Sequence, residues 1–167
     1  MPYPKYLIEL KGKAERALNA EPPDGLTAFS VAWALWEAIR RRILILACKR
    51  EGWTVEQARS GLMEERIDND RFIVLYSAIT MGDQWEDSLP LAAKKMWPGI
   101  LKAVKLRKRI IHGTSRIGEE NLQRTAWCVL RFVNRLHEHP LGNALKKLPR
   151  RTKKTLSDES LRERVKG

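Results

Sequence analysis

The 167-residue sequence predicts an all-α protein of about five helices followed by a basic tail. Apolar residues recur at intervals of three and four in four long stretches, which is the pattern of amphipathic helices. Proline and glycine fall between these stretches, where they end helices. The composition is 43% hydrophobic, which is enough to build a core in one domain of this length.

The first helix is predicted over residues 4–20, and the Pro-rich segment 21–25 ends it. The second helix is predicted over residues 27–50, because apolar residues give it a wide hydrophobic surface. Thr27 or Ser30 can cap its start, since hydroxyl side chains accept bonds from free backbone N–H groups there.

Charged residues interrupt the apolar surface of this second helix. Arg40, Arg41 and Arg42 point in different directions on a helix, so at least one of them must approach the apolar side. Trp33 and Trp36 are predicted to be core residues, given their helical spacing within an apolar stripe. Glu37 is the best candidate to pair with a buried basic group.

Four shorter signals organise the middle of the chain. Residues 54–58 are typical of a short helix with an N-terminal capping box. Asn69 or Asp70 is predicted to cap the following helix, and Ser88 the next one. Pro98 with Gly99 must bend or break that last helix.

Residues 96–112 and 119–138 predict the last two core helices, and Trp127 is placed among the apolar residues of the second. Arg107 falls near the centre of the apolar arc of the first helix, at 100° per residue. Arginine is rarely buried without a partner. Arg107 should therefore pair with a carboxylate such as Glu37 or Glu65, lie at a subunit interface, or line a cleft.

Residues 143–167 differ from the predicted domain, residues 1–142. They hold nine Lys or Arg against three Asp or Glu and few apolar residues. A flexible or weakly helical basic tail is expected. Cys48 and Cys128 lie in apolar helical contexts without metal-ligand spacing, so both are expected to be reduced core residues.

The net charge of +12 favours a polyanionic partner, and nucleic acid is the first candidate. From residue 88 to residue 118 the chain has eight basic residues and no acidic one. An ordinary solvated surface mixes positive and negative charges, so this span is more basic than such a surface. The sequence shows no apolar run long enough to span a membrane and no signal-peptide segment at its start, and a cytoplasmic protein is expected.

The stretch Arg107-Lys108-Arg109-Ile110-Ile111-His112-Gly113 ends the predicted helix 96–112. Taken by itself, His112 is typical of a helix end, where a cation suits the dipole and Gly113 can take the left-handed conformation. His137 and His139 are interpreted in the same way, as a helix end, and no metal site or cofactor is predicted.

Together these residues resemble the R-x(4–6)-H motif of the HEPN superfamily, in which a polar residue follows the arginine and a glycine can follow the histidine. The resemblance implies an up-down helical bundle and a metal-independent endoribonuclease of a toxin–antitoxin or other defence system. It also implies that Arg107 and His112 are the catalytic pair, that Lys108 takes the adjacent polar position, where asparagine is usual, and that the protein is a homodimer.

In such a site Lys105, Lys108, Arg109 and Arg116 would bind RNA phosphates, with Glu37 in support. Arg107 and His112 are five positions apart, about 140° around an ideal helix, so they would converge on one phosphate only with a second copy of the chain or a distorted helix. The dimer would also explain the position of Arg107, because its apolar arc would form part of the interface.

Two alternatives remain open from the sequence. One is a catalytically inactive HEPN-like module that binds RNA or a nucleotide through the same basic surface. The other is a basic helical adaptor whose tail binds an acidic partner. RNA and a second copy are the expected partners of the nuclease, together with an antitoxin or neighbouring defence protein.

Overall fold

The computed structural model describes residues 4–113, 116–138 and 156–167, and all regular secondary structure within these ranges is helical. The described helices are α1 (Lys5–Leu18), α2 (Gly25–Glu51), α3 (Val55–Leu62), α4 (Asn69–Ile79), α5 (Trp85–Ser88), α6 (Leu91–Lys94), α7 (Trp97–His112), α8 (Glu119–Glu138) and α9 (Asp158–Lys166). The all-α prediction is confirmed. The predicted number of about five is too low for the described ranges, because short helices form in segments interpreted as connections or tail.

The chain divides into two compact units. Unit 1 comprises residues 1–38 and 91–138, and unit 2 comprises residues 39–90 and 139–167. The long helix α2 contributes its first part to unit 1 and its second part to unit 2. The predicted domain boundary at residue 142 lies outside the described residues.

Aromatic side chains form the centre of unit 1. The Trp36 ring packs edge-on against Phe132 of α8, with ring centroids 5.2 Å apart, and against Trp97 of α7 at 6.2 Å. Trp36 is fully buried and Trp33 nearly so, which confirms their assignment to the core. Helices α7 and α8 pack closely, since a Cβ at Gly99 would lie 2.6 Å from the Cys128 Sγ atom.

The start of α2 is held by two carboxylates within unit 1. Asp24 Oδ1 accepts a hydrogen bond from the Thr27 backbone N–H at 2.9 Å, and a Glu119 carboxylate oxygen accepts one from the Gly25 N–H. The expectation that Thr27 or Ser30 caps this helix is therefore wrong. The helix begins two residues earlier, so Asp24 precedes it and accepts the free N–H.

Helix α9 packs against α3 and α4 in unit 2. Leu161 and Val165 on α9 are 1% and 3% exposed, and a Cβ at Gly61 would lie 2.8 Å from a Leu161 methyl carbon. Of the two alternatives expected for the tail, flexible or weakly helical, Asp158–Lys166 is helical, and its packing against α3 and α4 was not expected. Few apolar residues occur there, but their spacing of four places both on one face.

Arginines of unit 2 bind backbone carbonyls near helix ends. Arg41 donates to the carbonyls of Leu62 and Glu65 at 2.9 and 3.2 Å. Arg71 donates to the Val165 carbonyl at 2.6 Å, and Arg164 to that of Ile79 at 3.0 Å. Such bonds satisfy carbonyls that have no partner within their own helix.

The interruption of α2 by three arginines has the predicted outcome. Arg40 is 1% exposed, whereas Arg41 and Arg42 are half-buried. One of the three therefore reaches the apolar side, as the angular argument required.

Three local predictions about helix starts have different outcomes. The capping box of α3 is confirmed, with Thr54 and Gln57 exchanging side-chain-to-backbone bonds. Helix α4 is capped by Asp68 instead of Asn69 or Asp70. Ser88 caps no helix, because it is the last residue of α5 and accepts a bond from the Tyr76 hydroxyl.

Both cysteines are free thiols, as predicted. Cys48 is fully buried, and desolvation raises the pKa of its thiol to about 12. Cys128 is only half-buried, and burial raises its pKa as well. Within the ranges that the structure describes, no helix is both long enough and apolar enough to cross a membrane.

Candidate functional site

Helix α7 carries the candidate site and remains helical from Trp97 to His112. Pro98 lies in its first turn, so the predicted break at Pro98-Gly99 corresponds to the start of a new helix. Gly113 ends the helix in the left-handed conformation, with φ 59° and ψ 21°. Its N–H donates to the carbonyls of Arg109 and Ile110, which confirms the predicted helix end.

Arg107 lies on the side of α7 that faces the core of unit 1. The buried residues Ile100, Ala103 and Leu106 share this side, and Arg107 itself is half-buried. Its Nε atom is buried and has no hydrogen-bond partner among the described residues. A guanidinium N–H in this state is unusual, because a buried donor that forms no bond costs free energy.

The ion pair considered for Arg107 is not formed in the described ranges. The Glu37 Oε1 atom accepts a bond from the Trp33 indole N–H at 2.7 Å. The Glu65 carboxylate is bonded to Arg71 Nε at 3.1 Å. The structure therefore gives no support to an interior carboxylate as the reason for Arg107 on this face.

His112 lies on the opposite, exposed side of the last turn of α7. Because the helix continues unbroken between the two residues, Arg107 and His112 are separated by about 140° around the axis and ~7.5 Å along it. One chain therefore does not bring the two side chains to a common point by its helix geometry. The imidazole is open to solvent.

Exposed cations lie on the same side of α7 as His112. Lys105, Lys108 and Arg109 are all exposed, and each falls within about 60° of His112 around the helix. Arg116 is also exposed, beyond the link at residues 114 and 115, which lies outside the described residues. The structure thus places three of the four predicted phosphate-binding residues on the same side of α7 as His112. Arg107, the other predicted catalytic residue, does not lie on that side.

The apolar arc of α7 is not free to form a subunit interface along its length. Trp97, Ile100, Ala103 and Leu106 are at most 5% exposed within a single chain, packed inside unit 1. Only part of this arc was expected to form the interface, and these four residues are excluded from that part because they are covered within one chain. Ile111, at 59% exposed, is the exception near the end of the helix.

Trp127 is a further candidate that the sequence interpretation placed in the core. Its side chain is 37% exposed on α8, because it falls just outside the buried stripe of that helix. Arg124 and Arg131 lie three residues before it and four after it, on the same face. In the sequence, this spacing of arginines around Trp127 was the available indication that the residue lies on an exposed face.

The described residues include no group of three or more His, Cys, Asp or Glu side chains arranged to hold a metal ion. His139 and the side chain of His137 lie outside the residues that the structure describes. No family model matches this chain, and comparisons with curated proteins and with solved structures likewise found no match.

Proposed function

We propose that this protein is a metal-independent endoribonuclease of the HEPN type, which binds RNA along the exposed face of α7 and cleaves it with His112. The observation that carries the proposal is the solvent-exposed imidazole beside Lys105, Lys108 and Arg109 on one face of α7. The acid-free span 88–118 supports a polyanionic ligand at that face.

RNA supplies its own nucleophile, so the protein has few tasks to perform. A neutral imidazole of His112 accepts the proton of a 2′-hydroxyl, and that oxygen attacks the adjacent phosphorus. The bond to the 5′-oxygen breaks, and this oxygen takes a proton from an imidazolium or from water. The products are a 2′,3′-cyclic phosphate and a 5′-hydroxyl, while nearby cations offset the charge that develops on the phosphate.

A second copy of the chain would supply the arginine. On α7, Ile111 lies between Arg107 and His112, about 40° from the first and about 100° from the second. Its side chain is 59% exposed. A two-fold contact around Ile111 would set Arg107 of one copy near His112 of the other, because such an interface uses the same patch on both chains.

The test is RNA cleavage in EDTA by purified variants, with analysis of the new ends. His112→Ala and Arg107→Ala should each lose activity by about 10²-fold or more, since acid–base and charge-stabilising residues contribute this much. Arg59→Ala, which removes an exposed arginine of α3, is the matched control and should retain activity. Full cleavage by His112→Ala would refute the proposal.

Mixing the two inactive variants tests the dimer. Random pairing makes half of the dimers mixed, and each mixed dimer has one intact composite site, so about a quarter of the wild-type rate should return. No recovery, together with a dimer in sedimentation, would place both residues in one chain. Ile111→Glu should yield monomers without cleavage activity.

A second function is favoured by the direction of Arg107. The Arg107 side chain faces the core of unit 1 and its Nε atom is buried, so it does not point toward a phosphate held on the exposed face. In this second function α7 binds RNA through its lysines without cleaving it. Salt-sensitive binding with no new RNA ends would identify this function. Growth arrest on expression, relieved by His112→Ala, would instead favour a toxin or defence nuclease that a partner protein restrains.

A further inference from the structure

Trp127 differs from every other tryptophan of the chain in its exposure. Trp33, Trp36, Trp53, Trp85 and Trp97 are at most 4% exposed, whereas Trp127 is 37% exposed. A large aromatic ring on the surface leaves apolar area in water, which costs free energy relative to burial. The fold of unit 1 places its other tryptophans in the core, so Trp127 is the ring of this unit that is open to a ligand.

The surroundings of Trp127 are basic. Arg131 lies about 40° from it around α8, and Arg124 about 60° from it, so the three share one face. Arg124 is paired with Glu120 at 2.6 Å. Arg131 is exposed, and no hydrogen bond or ion pair occupies it in the described part of the chain.

Lys102 adds a cation from α7. The close approach of Gly99 to Cys128 brings α7 against this part of α8. Although burial raises the pKa of the Cys128 thiol, Arg131 and Lys102 both act on that thiol in the opposite direction. The two cations, one from each helix, therefore lie near Cys128, the residue that follows Trp127 on α8.

An exposed ring beside cations matches the chemistry of single-stranded nucleic acid. The cations attract phosphates, and an aromatic ring stacks on any base whose face is free. Paired bases in a duplex are already stacked on each other and do not offer that face. A membrane-binding face would instead need several apolar side chains around the ring.

We propose that Trp127 is a stacking site for an unpaired base of single-stranded RNA, and that Arg131 and Lys102 bind the flanking phosphates. This inference rests on the proposed binding of RNA and is independent of cleavage. It specifies the bound RNA as unpaired and extends the proposed binding surface from α7 to α8.

Binding should be measured in the His112→Ala protein, so that cleavage does not affect the result. A uridine oligonucleotide should quench tryptophan fluorescence, because Trp127 is the exposed ring among five buried ones. Trp127→Leu should weaken binding by about tenfold or more, the effect of losing one base–aromatic stack. Trp127→Phe keeps an aromatic ring and should retain most of the affinity.

Two matched ligands separate stacking from charge. An abasic strand of equal length carries the same phosphates without bases, and it should bind the Trp127→Leu and parent proteins equally. Arg131→Ala should instead weaken the binding of both strands. It should also reduce the slope of the logarithm of the binding constant against the logarithm of the salt concentration by about one. Circular dichroism and thermal unfolding should show that each variant is folded.

Several results would overturn the inference. Equal binding of the uridine strand by Trp127→Leu and its parent would do so, as would an equal loss on double-stranded RNA. Quenching by anionic vesicles but not by RNA would assign the ring to a lipid surface, and self-association lost in Trp127→Leu would assign it to a second copy. Each of these results is independent of whether the native protein cleaves RNA.

Discussion

Several arginines of unit 2 differ from Arg107 of unit 1 in what their N–H groups contact. In unit 2, Arg41, Arg71 and Arg164 donate to backbone carbonyls near helix ends, and Arg50 contacts the carboxylates of Glu51 and Asp83 at 3.4 and 2.9 Å. In unit 1, Arg107 has a buried Nε with no bond among the described residues.

The difference shows that partners, more than burial, indicate what a cation does. A guanidinium whose N–H groups meet carbonyls or carboxylates stabilises the fold. One held against the core without such partners lowers stability, and it is a candidate to bind a ligand supplied from outside. By this criterion the arginines named for unit 2 are structural, and Arg107 belongs to the candidate site.

Replacing Arg50 should give the largest effect on stability. Glu51 is 2% exposed, so Arg50→Met removes an ion partner from a buried carboxylate and should lower the free energy of unfolding by about 3 kcal/mol. Urea denaturation measures this change. Arg59→Met, at an exposed position, is the control and should change stability by less than about 0.5 kcal/mol. Equal effects of the two substitutions would show that the contacts of Arg50 do not stabilise the fold.

Arg107→Met should change the free energy of unfolding in the opposite direction. The substitution keeps an unbranched side chain of similar length and removes a buried N–H without a partner, so stability should rise by about 1 kcal/mol. The same denaturation experiment measures it, and RNA cleavage should fall in parallel. A stability loss above about 1 kcal/mol would mean that Arg107 has a structural partner.

Replacing Asp24 should give the smallest effect on stability, and this effect should be seen at acidic pH. The bond to Thr27 lowers the pKa of this carboxyl in the folded protein. Its stabilising effect is therefore fully present above the unfolded-state pKa and is lost as pH falls through the folded-state pKa.

The substitution Asp24→Asn keeps an acceptor oxygen at this cap but removes the group that titrates. Between about pH 5 and pH 2, the melting temperature of the variant should fall slightly less than that of the parent protein. Parallel curves for the two proteins would show that this cap does not contribute to the acid dependence.

The helices of the fold were predictable because periodicity and breaks are local properties. The prediction of 96–112 differs from the observed Trp97–His112 by one residue, and the Thr54–Gln57 capping box was identified directly. Helix α9 was not predictable from composition, because Leu161 and Val165 gain their stability from α3 and α4, about a hundred positions earlier. Tertiary packing overrides a weak local signal in such segments.

The candidate site was predictable only in part. Motif spacing predicted Arg107 and His112 as the catalytic pair, which stays a prediction, and charge predicted the lysines between and around them as phosphate-binding residues. The exposure of Trp127 was missed, because an aromatic residue at the edge of an apolar stripe has the same sequence signal whether it is covered or open. Which face of α8 is covered depends on its neighbours in the fold.

The position of α9 has a consequence for synthesis on the ribosome. The Trp53 indole N–H donates a hydrogen bond to the Ser157 carbonyl, and the Arg164 guanidinium carbon lies 4.8 Å from the centroid of the Trp53 ring. Residues far apart in the sequence of unit 2 therefore contact each other. A nascent chain that has emerged only as far as α8 exposes the Trp53 ring and the apolar faces of α3 and α4. This apolar surface therefore stays in contact with water until the residues of α9 have been synthesised.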